Sequence, residues 1–288
     1  YEVSGTRSMF TKTARRAAKM EPPFKEAILD VDEDWGNPKL WVAMRNASQG
    51  FTIDFYLAAL DRTRDAEGDI VKVEEERAVY VLLFKRTLML SALITFLTFL
   101  LGFPIAHLLA TLPLRHSNLL MIFVLLPFWT SLLVRTTSWI VLLQSQGVVN
   151  DIWVSLGIVS DENRLQMIYN QTGTIIAMTH ILLPFMVLPL YSVMRPIDPS
   201  YVRAARSLGA TSWTAFRRIY MPQTIPGIGA GGLLVFILAV GYYITPALVG
   251  GSSGQLISNL IAFHMQKSLN WSLAAALASL LLFGVLLL

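Results

Sequence analysis

Residues 88–112 read LMLSALITFLTFLLGFPIAHLLATL, 25 consecutive residues without a charged side chain. At 1.5 Å per residue they make about 37 Å of helix, more than the roughly 30 Å hydrocarbon core of a bilayer. A helix packed in a water-surrounded bundle keeps a polar face. This stretch has none, so it predicts a membrane-spanning helix. Working outward, similar segments lie at about 118–143, which carries Arg135, and at 173–194, 225–249 and 271–288. The expected fold is an all-α polytopic membrane protein with five visible spans. Prolines 104, 127, 184, 189, 226 and 246 fall within these segments. They are compatible with ordinary kinks and with broken helices lining a path.

The composition agrees with this reading. Of 288 residues, 54% are hydrophobic and 15% charged, against about 25% charged in soluble domains; the mean hydropathy is +0.55. Residues 1–87 hold 14 of the 23 Lys and Arg and 15 of the 19 Asp and Glu. A polar extramembrane segment, 1–87, therefore precedes a transmembrane domain, 88–288. The net charge of +4 divides as −1 and +5 between them. Most of the basic excess sits in short connections between apolar runs rather than on one soluble face, which argues against a nucleic-acid partner. Zero cysteines exclude disulfides, thiolate catalysis and cysteine-ligated metals. There is no HExxH, GxSxG or paired-carboxylate pattern and no GxxxxGK[ST]. Gly250-Gly251-Ser252-Ser253-Gly254 lacks the lysine that would reach a phosphate. No enzyme activity, resident cofactor or metal site is expected.

Orientation follows from the connections. The 113–117 connection carries Arg115, and 195–224 carries Arg195, Arg203, Arg206, Arg217 and Arg218 against Asp198 alone. Cytoplasmic loops collect Lys and Arg, so these two face the cytoplasm and 1–87 faces outward. An outward head requires a preceding span, so a sixth helix is expected upstream of Tyr1, and the chain also stops inside an apolar run at Leu288.

The 198–227 stretch, DPSYVRAARSLGATSWTAFRRIYMPQTIPG, holds the most local information. Asp198 reads as an N-cap, Pro199 as the first helical residue and Gly209 as the stop. Tyr201, Ala204, Ala205 and Leu208 form one apolar stripe. Thr211 or Ser212 caps a second short helix that ends before Pro222. Helix, glycine turn and helix between two spans suit a docking element for a soluble motor subunit. An amphipathic surface loop is the plainer reading, and a DNA-reading helix-turn-helix has too little reach between membrane spans.

Ala204-Ala205, three residues, Gly209, nine residues, Ile219, then Met221-Pro222 resembles the EAA loop of ABC-importer permeases in every spacing. Arg203 stands where that family has Glu and Met221 where it has Leu. LPFWTSLLVRTTSWIVLLQSQGVVNDIWVSLGIV, ILLPFMVLPLYSVM, AVGYYITPALVGG and FTIDFYLAAL extend the resemblance to permeases of spermidine/putrescine importers, over most of 50–288. The resemblance implies a type I ABC-importer transmembrane domain in a bacterial inner membrane. Its implied partners are an ATP-binding subunit dimer holding ATP and Mg, a second permease (homologous or identical) and a periplasmic substrate-binding protein. Asp198, Tyr201, Ala204, Ala205, Leu208, Gly209, Ile219 and Pro222 would then couple to the ATPase.

Within the spans, Arg135 is the only formal charge, and an ionisable residue there has a functional default. Trp129, Thr130 and Trp139 share its helix, and aromatic faces attract alkylammonium ions. Tyr242 and Tyr243 follow Gly241 near the middle of the fourth span. These six are the candidate substrate path. His107 and His180 read as packing residues. Where a polyamine permease is expected to carry an acid, this chain has Tyr242 and Ala247, which keeps another organic amine or an aminoalkylphosphonate as an alternative substrate. An ion-coupled secondary transporter is the alternative class, but it predicts intramembrane acids, and the five segments contain none.

Overall fold

In the computed structural model the described residues are 6–48, 52–65 and 68–287. Phe51, which opens the 51–60 stretch, and Leu288, which closes the fifth predicted span, lie outside them. The chain divides into two compact units, 1–81 with 275–277, and 82–274 with 278–288.

The first unit contains α1 (Thr6–Arg16), α2 (Phe24–Leu29), α3 (Pro38–Ser48), α4 (Asp54–Ala59) and a hairpin of β1 (Arg62–Arg64) and β2 (Ile70–Lys72). The hairpin is antiparallel with Thr63 opposite Val71. Met9, Trp35 and Leu40 form a small apolar core, joined by Ile28, Leu29 and Met44. The Trp35 indole N–H donates to the Thr13 hydroxyl at 2.9 Å, as a buried indole requires. Lys12 donates to Asp32 at 3.0 Å, and this bond holds the Asp32 carboxyl below its usual range. Asp61, in left-handed backbone, accepts the N–H groups of Tyr80 (3.0 Å) and Val81 (2.7 Å) on its two carboxylate oxygens. Those residues open α5 (Tyr80–Thr111). An anion over the first free N–H groups satisfies them and suits the positive end of the helix dipole. The cap explains why α5 begins eight residues before the uncharged stretch.

The second unit continues α5 and adds α6 (Leu114–Leu125), α7 (Leu132–Leu143), α8 (Val148–Ser155), α9 (Gln171–Met194), α10 (Pro199–Ser207), α11 (Ser212–Ala215), α12 (Met221–Gly241), α13 (Ile244–Val249), α14 (Ile257–Gln266) and α15 (Trp271–Leu286). Helix α9 is the central element. Its most apolar stretch is mostly buried, whereas those of α5 and α12 are mostly exposed. Met178, Leu182, Met186 and Leu190 of α9 pack with Leu90, Ile94 and Leu109 of α5 and with Val235 and Ala239 of α12.

The α9–α12 contact depends on Gly227 and Gly231, a small-xxx-small pair that lets two helices approach closely. A Cβ at Gly227 would lie 3.2 Å from the Pro189 carbonyl oxygen, and one at Gly231 2.9 Å from the Met186 sulfur and 3.2 Å from its carbonyl oxygen. Gly231→Val is expected to destabilise the membrane unit by about 1–3 kcal/mol through overpacking. Gly229→Ala, which meets open space, is expected to have no effect. Thermal unfolding of the detergent-solubilised variants checks both.

Three expectations are corrected. Residues 118–143 do not form one continuous helix: Leu114–Trp129 and Leu132–Ser155 are bent by 97°. Pro127 lies in a 3-10 turn, Leu126–Trp129, and Thr130 and Ser131 are extended, so the helix stops and restarts. The fourth segment is likewise interrupted at Tyr242–Tyr243, between α12 and α13. The second helix of the loop does not end before Pro222. It runs unbroken from Ser212 to Gly241, because a π-helical turn at Phe216–Tyr220 precedes the proline and Met221 N–H bonds to the Phe216 carbonyl. The wider turn accommodates a residue that brings no N–H and a bulky ring. The fifth segment is a 16-residue helix, Trp271–Leu286.

Candidate coupling loop and translocation path

The loop from Asp198 to Pro222 is a fully capped local structure. Asp198 accepts the Ser200 N–H at 2.8 Å. That bond, then the Ser200 hydroxyl, holds the Asp198 carboxyl below its usual range. Pro199 occupies the first turn of α10, where its missing N–H costs nothing. At the other end Gly209, at φ +89°, takes the left-handed position. The Ala210 N–H reaches the Ala205 carbonyl (3.1 Å) and the Gly209 N–H the Arg206 carbonyl (3.0 Å), the two bonds of a Schellman stop. Thr211 then caps α11 by accepting the Thr214 N–H at 3.2 Å.

This element presents large apolar side chains outward. Leu208 is 90% exposed, Trp213 68% and Tyr201 55%. Ala204 is also exposed, Ala205 and Ile219 are half-buried, and Pro222 is exposed. Arg203 and Arg206 stand exposed beside them. The surface is apolar, rigid and fringed by positive charge, which is the character of a protein-docking patch.

The candidate path residues gather around the two helix breaks. The Arg135 guanidinium folds back over the first break and donates to the carbonyls of Pro127 and Thr130 (3.0 Å for Thr130), with Nε 3.4 Å from the Thr130 hydroxyl. It thereby supplies a donor to the Thr130 carbonyl and adds one to the Pro127 carbonyl, which also accepts the Thr130 N–H (3.3 Å) and hydroxyl (2.8 Å). At the second break the Ser258 hydroxyl donates to the Tyr242 carbonyl (2.6 Å) and the Asn259 amide to the Tyr243 carbonyl (2.7 Å). The breaks are tied together one residue from Arg135, where the buried hydroxyls of Thr136 and Thr245 lie 3.2 Å apart. Trp139 is engaged in packing, its indole N–H donating to His180 at 3.1 Å. Trp129 is 89% exposed.

Sequence reasoning missed an aromatic ladder. Trp213, Phe216 and Tyr220 stack nearly parallel, each pair 5.8 Å apart, and the Tyr220 hydroxyl lies 3.0 Å from Nδ1 of His107. The i, i+3, i+7 spacing of aromatics was visible; the partner histidine 113 residues away was not.

Residues 87–288 match the family described as "Binding-protein-dependent transport system inner membrane component". The chain belongs to that family. It is 34% identical over 200 residues to the "Spermidine/putrescine transport system permease protein PotB" of Haemophilus influenzae, covering 69% of each chain. It is 33% identical over 226 residues to the protein of that description in Escherichia coli K12, covering 78% of this chain and 76% of the relative. Among solved structures it resembles a bacterial ABC transporter involved in the import of the acidic polysaccharide alginate, at a TM-score of 0.65 and 17% identity, over 97% of this chain and 95% of that one. A second structure of the bacterial alginate ABC transporter, in complex with an alginate pentasaccharide-bound periplasmic protein, matches at 0.57 and 17%, over 93% and 94%. Membership of the family makes this chain a multi-pass inner-membrane permease subunit of an ABC importer, with the fold of such transmembrane domains. It is a transport subunit.

Proposed function

We propose that this chain forms half of the translocation path for polyamines, putrescine and spermidine, and couples to a separate ATP-binding subunit through Asp198–Pro222. The observation that carries the coupling role is the exposed apolar surface of Tyr201, Leu208 and Trp213 on a capped helix between two spans. A helix docked in a partner moves as one body when that partner closes, and so biases the spans between inward-open and outward-open arrangements. In this reading ATP and Mg are held by the partner ATPase dimer. The loop faces the cytoplasm, residues 1–87 face the periplasm, and a second permease and a periplasmic binding protein complete the assembly. The periplasmic protein bound to the alginate transporter supports that kind of partner. The polyamine assignment is supported by the relatives named for spermidine/putrescine transport.

A second reading, a phosphonate-bearing or other amine substrate, is favoured by one observation. The predicted spans contain no Asp or Glu, and the charge beside the helix breaks is the cation Arg135. The test is uptake of labelled putrescine into proteoliposomes holding the full-length permease with its partner subunits, ATP on the ATPase side, and unlabelled spermidine, an amino acid and 2-aminoethylphosphonate as competitors. Competition by spermidine alone supports the polyamine reading. Competition by the phosphonate, or ATP-dependent turnover without putrescine uptake, replaces it with the second.

A further inference from the structure

Both ends of the exposed loop are fastened to the same place, the last turn and a half of α5. At its start, Arg195 donates through Nη1 to the carbonyls of Ala110 (2.7 Å) and Leu112 (3.0 Å). Ala110 lies in the closing turn of α5, whose carbonyls lack helical partners, and Leu112 just follows it; a guanidinium suits the negative end of the helix dipole. At the loop's other end, buried Tyr220 sets its hydroxyl 3.0 Å from Nδ1 of His107, with the rings edge to face at 4.9 Å. From Tyr220 the stack continues outward through Phe216 to the exposed Trp213. The rings of Phe103 and His107 of α5 stand nearly perpendicular to Phe216, with centroids 6.2 and 6.1 Å away.

The segment so gripped has a built-in weak point and room to move. Pro104 lies inside α5, so the Leu100 carbonyl loses its helical donor and the helix is softened there. Beyond it, Ile105, Leu108 and Leu109 line an apolar cavity of about 360 Å³ whose far wall includes Phe123 of α6 and Leu183 of α9. The pocket leaves this side of the segment without tight packing against α6 and α9.

We propose that residues 105–111 of α5, with Leu112 that follows them, are the receiving arm of the coupling loop, hinged at Pro104, with Arg195 and Tyr220 as the two clamps that pull it. This rests on the coupling role proposed above. Arg195, Tyr220 and His107 are positioning residues: a partner closing on Leu208 and Trp213 displaces the loop, and the clamps oblige the end of α5 to follow.

The chain has no cysteine, so paired spin labels can be introduced cleanly at Phe96→Cys and Thr111→Cys, exposed sites on either side of Pro104. They are about 22 Å apart along a helix. In the full-length permease assembled with its ATP-binding subunits, the distance is expected to shift on ATP binding. Tyr220→Phe and Arg195→Gln are each expected to abolish that shift while ATP hydrolysis continues, and Arg195→Lys to restore part of it. His107→Leu approaches the same bond from α5, and combining it with Tyr220→Phe adds nothing further, as expected for one shared interaction. An unchanged distance in the wild-type assembly while ATP is hydrolysed overturns the inference and leaves the coupling reading standing. Variants that lose shift and hydrolysis in proportion also overturn it, because they report only a structural role. No hydrolysis stimulated by the wild-type permease overturns the coupling reading itself, and the inference with it.

Discussion

A Gly209→Val chain inserts in the membrane in normal amount and loses about nine tenths of its ATP-driven uptake. Gly209 sits at φ +89°, and a Cβ there would meet nothing within 4 Å. The penalty therefore comes from backbone conformation rather than from collision. Left-handed backbone costs an L-residue roughly 1–2 kcal/mol, and a β-branched side chain fares worst. That is about a tenfold loss in the population of the native turn. The turn sets the angle between α10 and α11, because both Schellman bonds close through Gly209 and Ala210. If it opens, Leu208 and Trp213 no longer form one rigid surface. Gly209→Asn, which tolerates this region, is expected to retain most activity, and Gly209→Ala to fall between. Uptake normalised to permease content in the membrane checks the series. Normal uptake by Gly209→Val would show that the turn is not a coupling element.

Arg135→Ala carries the second large effect. The guanidinium bridges the Pro127 and Thr130 carbonyls across a 97° break. Hydrogen bonds to a charged group are each worth about 1.5–3 kcal/mol, and removing the donor takes one from the Pro127 carbonyl and leaves the Thr130 carbonyl without its guanidinium partner. In a hydrocarbon setting water does not replace it. The expected loss is about 2–4 kcal/mol of stability in the membrane unit, with uptake falling with it. Arg135→Lys brings a single ammonium in place of a planar fork, so it is expected to recover only part. Thermal unfolding in detergent beside uptake separates two roles. If Arg135→Ala keeps native stability but changes substrate preference, the arginine acts on the cargo rather than on the break.

The parts of this fold that were legible are those governed by local chemistry. The uncharged run at 88–112 and the apolar run at 173–194 announce α5 and α9 because the bilayer demands long apolar helices. Asp198, Pro199, Gly209 and Thr211 announced the caps and the turn, since each is decided within a few residues. What failed was decided at a distance. Pro127 alone is compatible with a mild kink, and Thr130 together with Arg135, eight residues on from the proline, supplies donors to the carbonyls at the full break. Pro222 reads as a stop until a π-turn is known to precede it. Helix α14 carries Ser258 and Asn259, whose polar side chains mask a helical role and bind the carbonyls at Tyr242 and Tyr243. The grip of Arg195 and Tyr220 on the end of α5 spans more than 80 residues of sequence, and no local pattern encodes it.

The central claim is that the 198–222 loop is the docking element for the ATP-binding subunit. Leu208→Cys, at a position 90% exposed in a chain without any other cysteine, accepts a single photoactivatable maleimide. After assembly with the ATP-binding subunit and illumination, the account predicts one adduct, permease joined to that subunit, and none from the same label at Leu133→Cys on α7. An assembly that hydrolyses ATP under permease control yet gives no adduct from Leu208→Cys would contradict it.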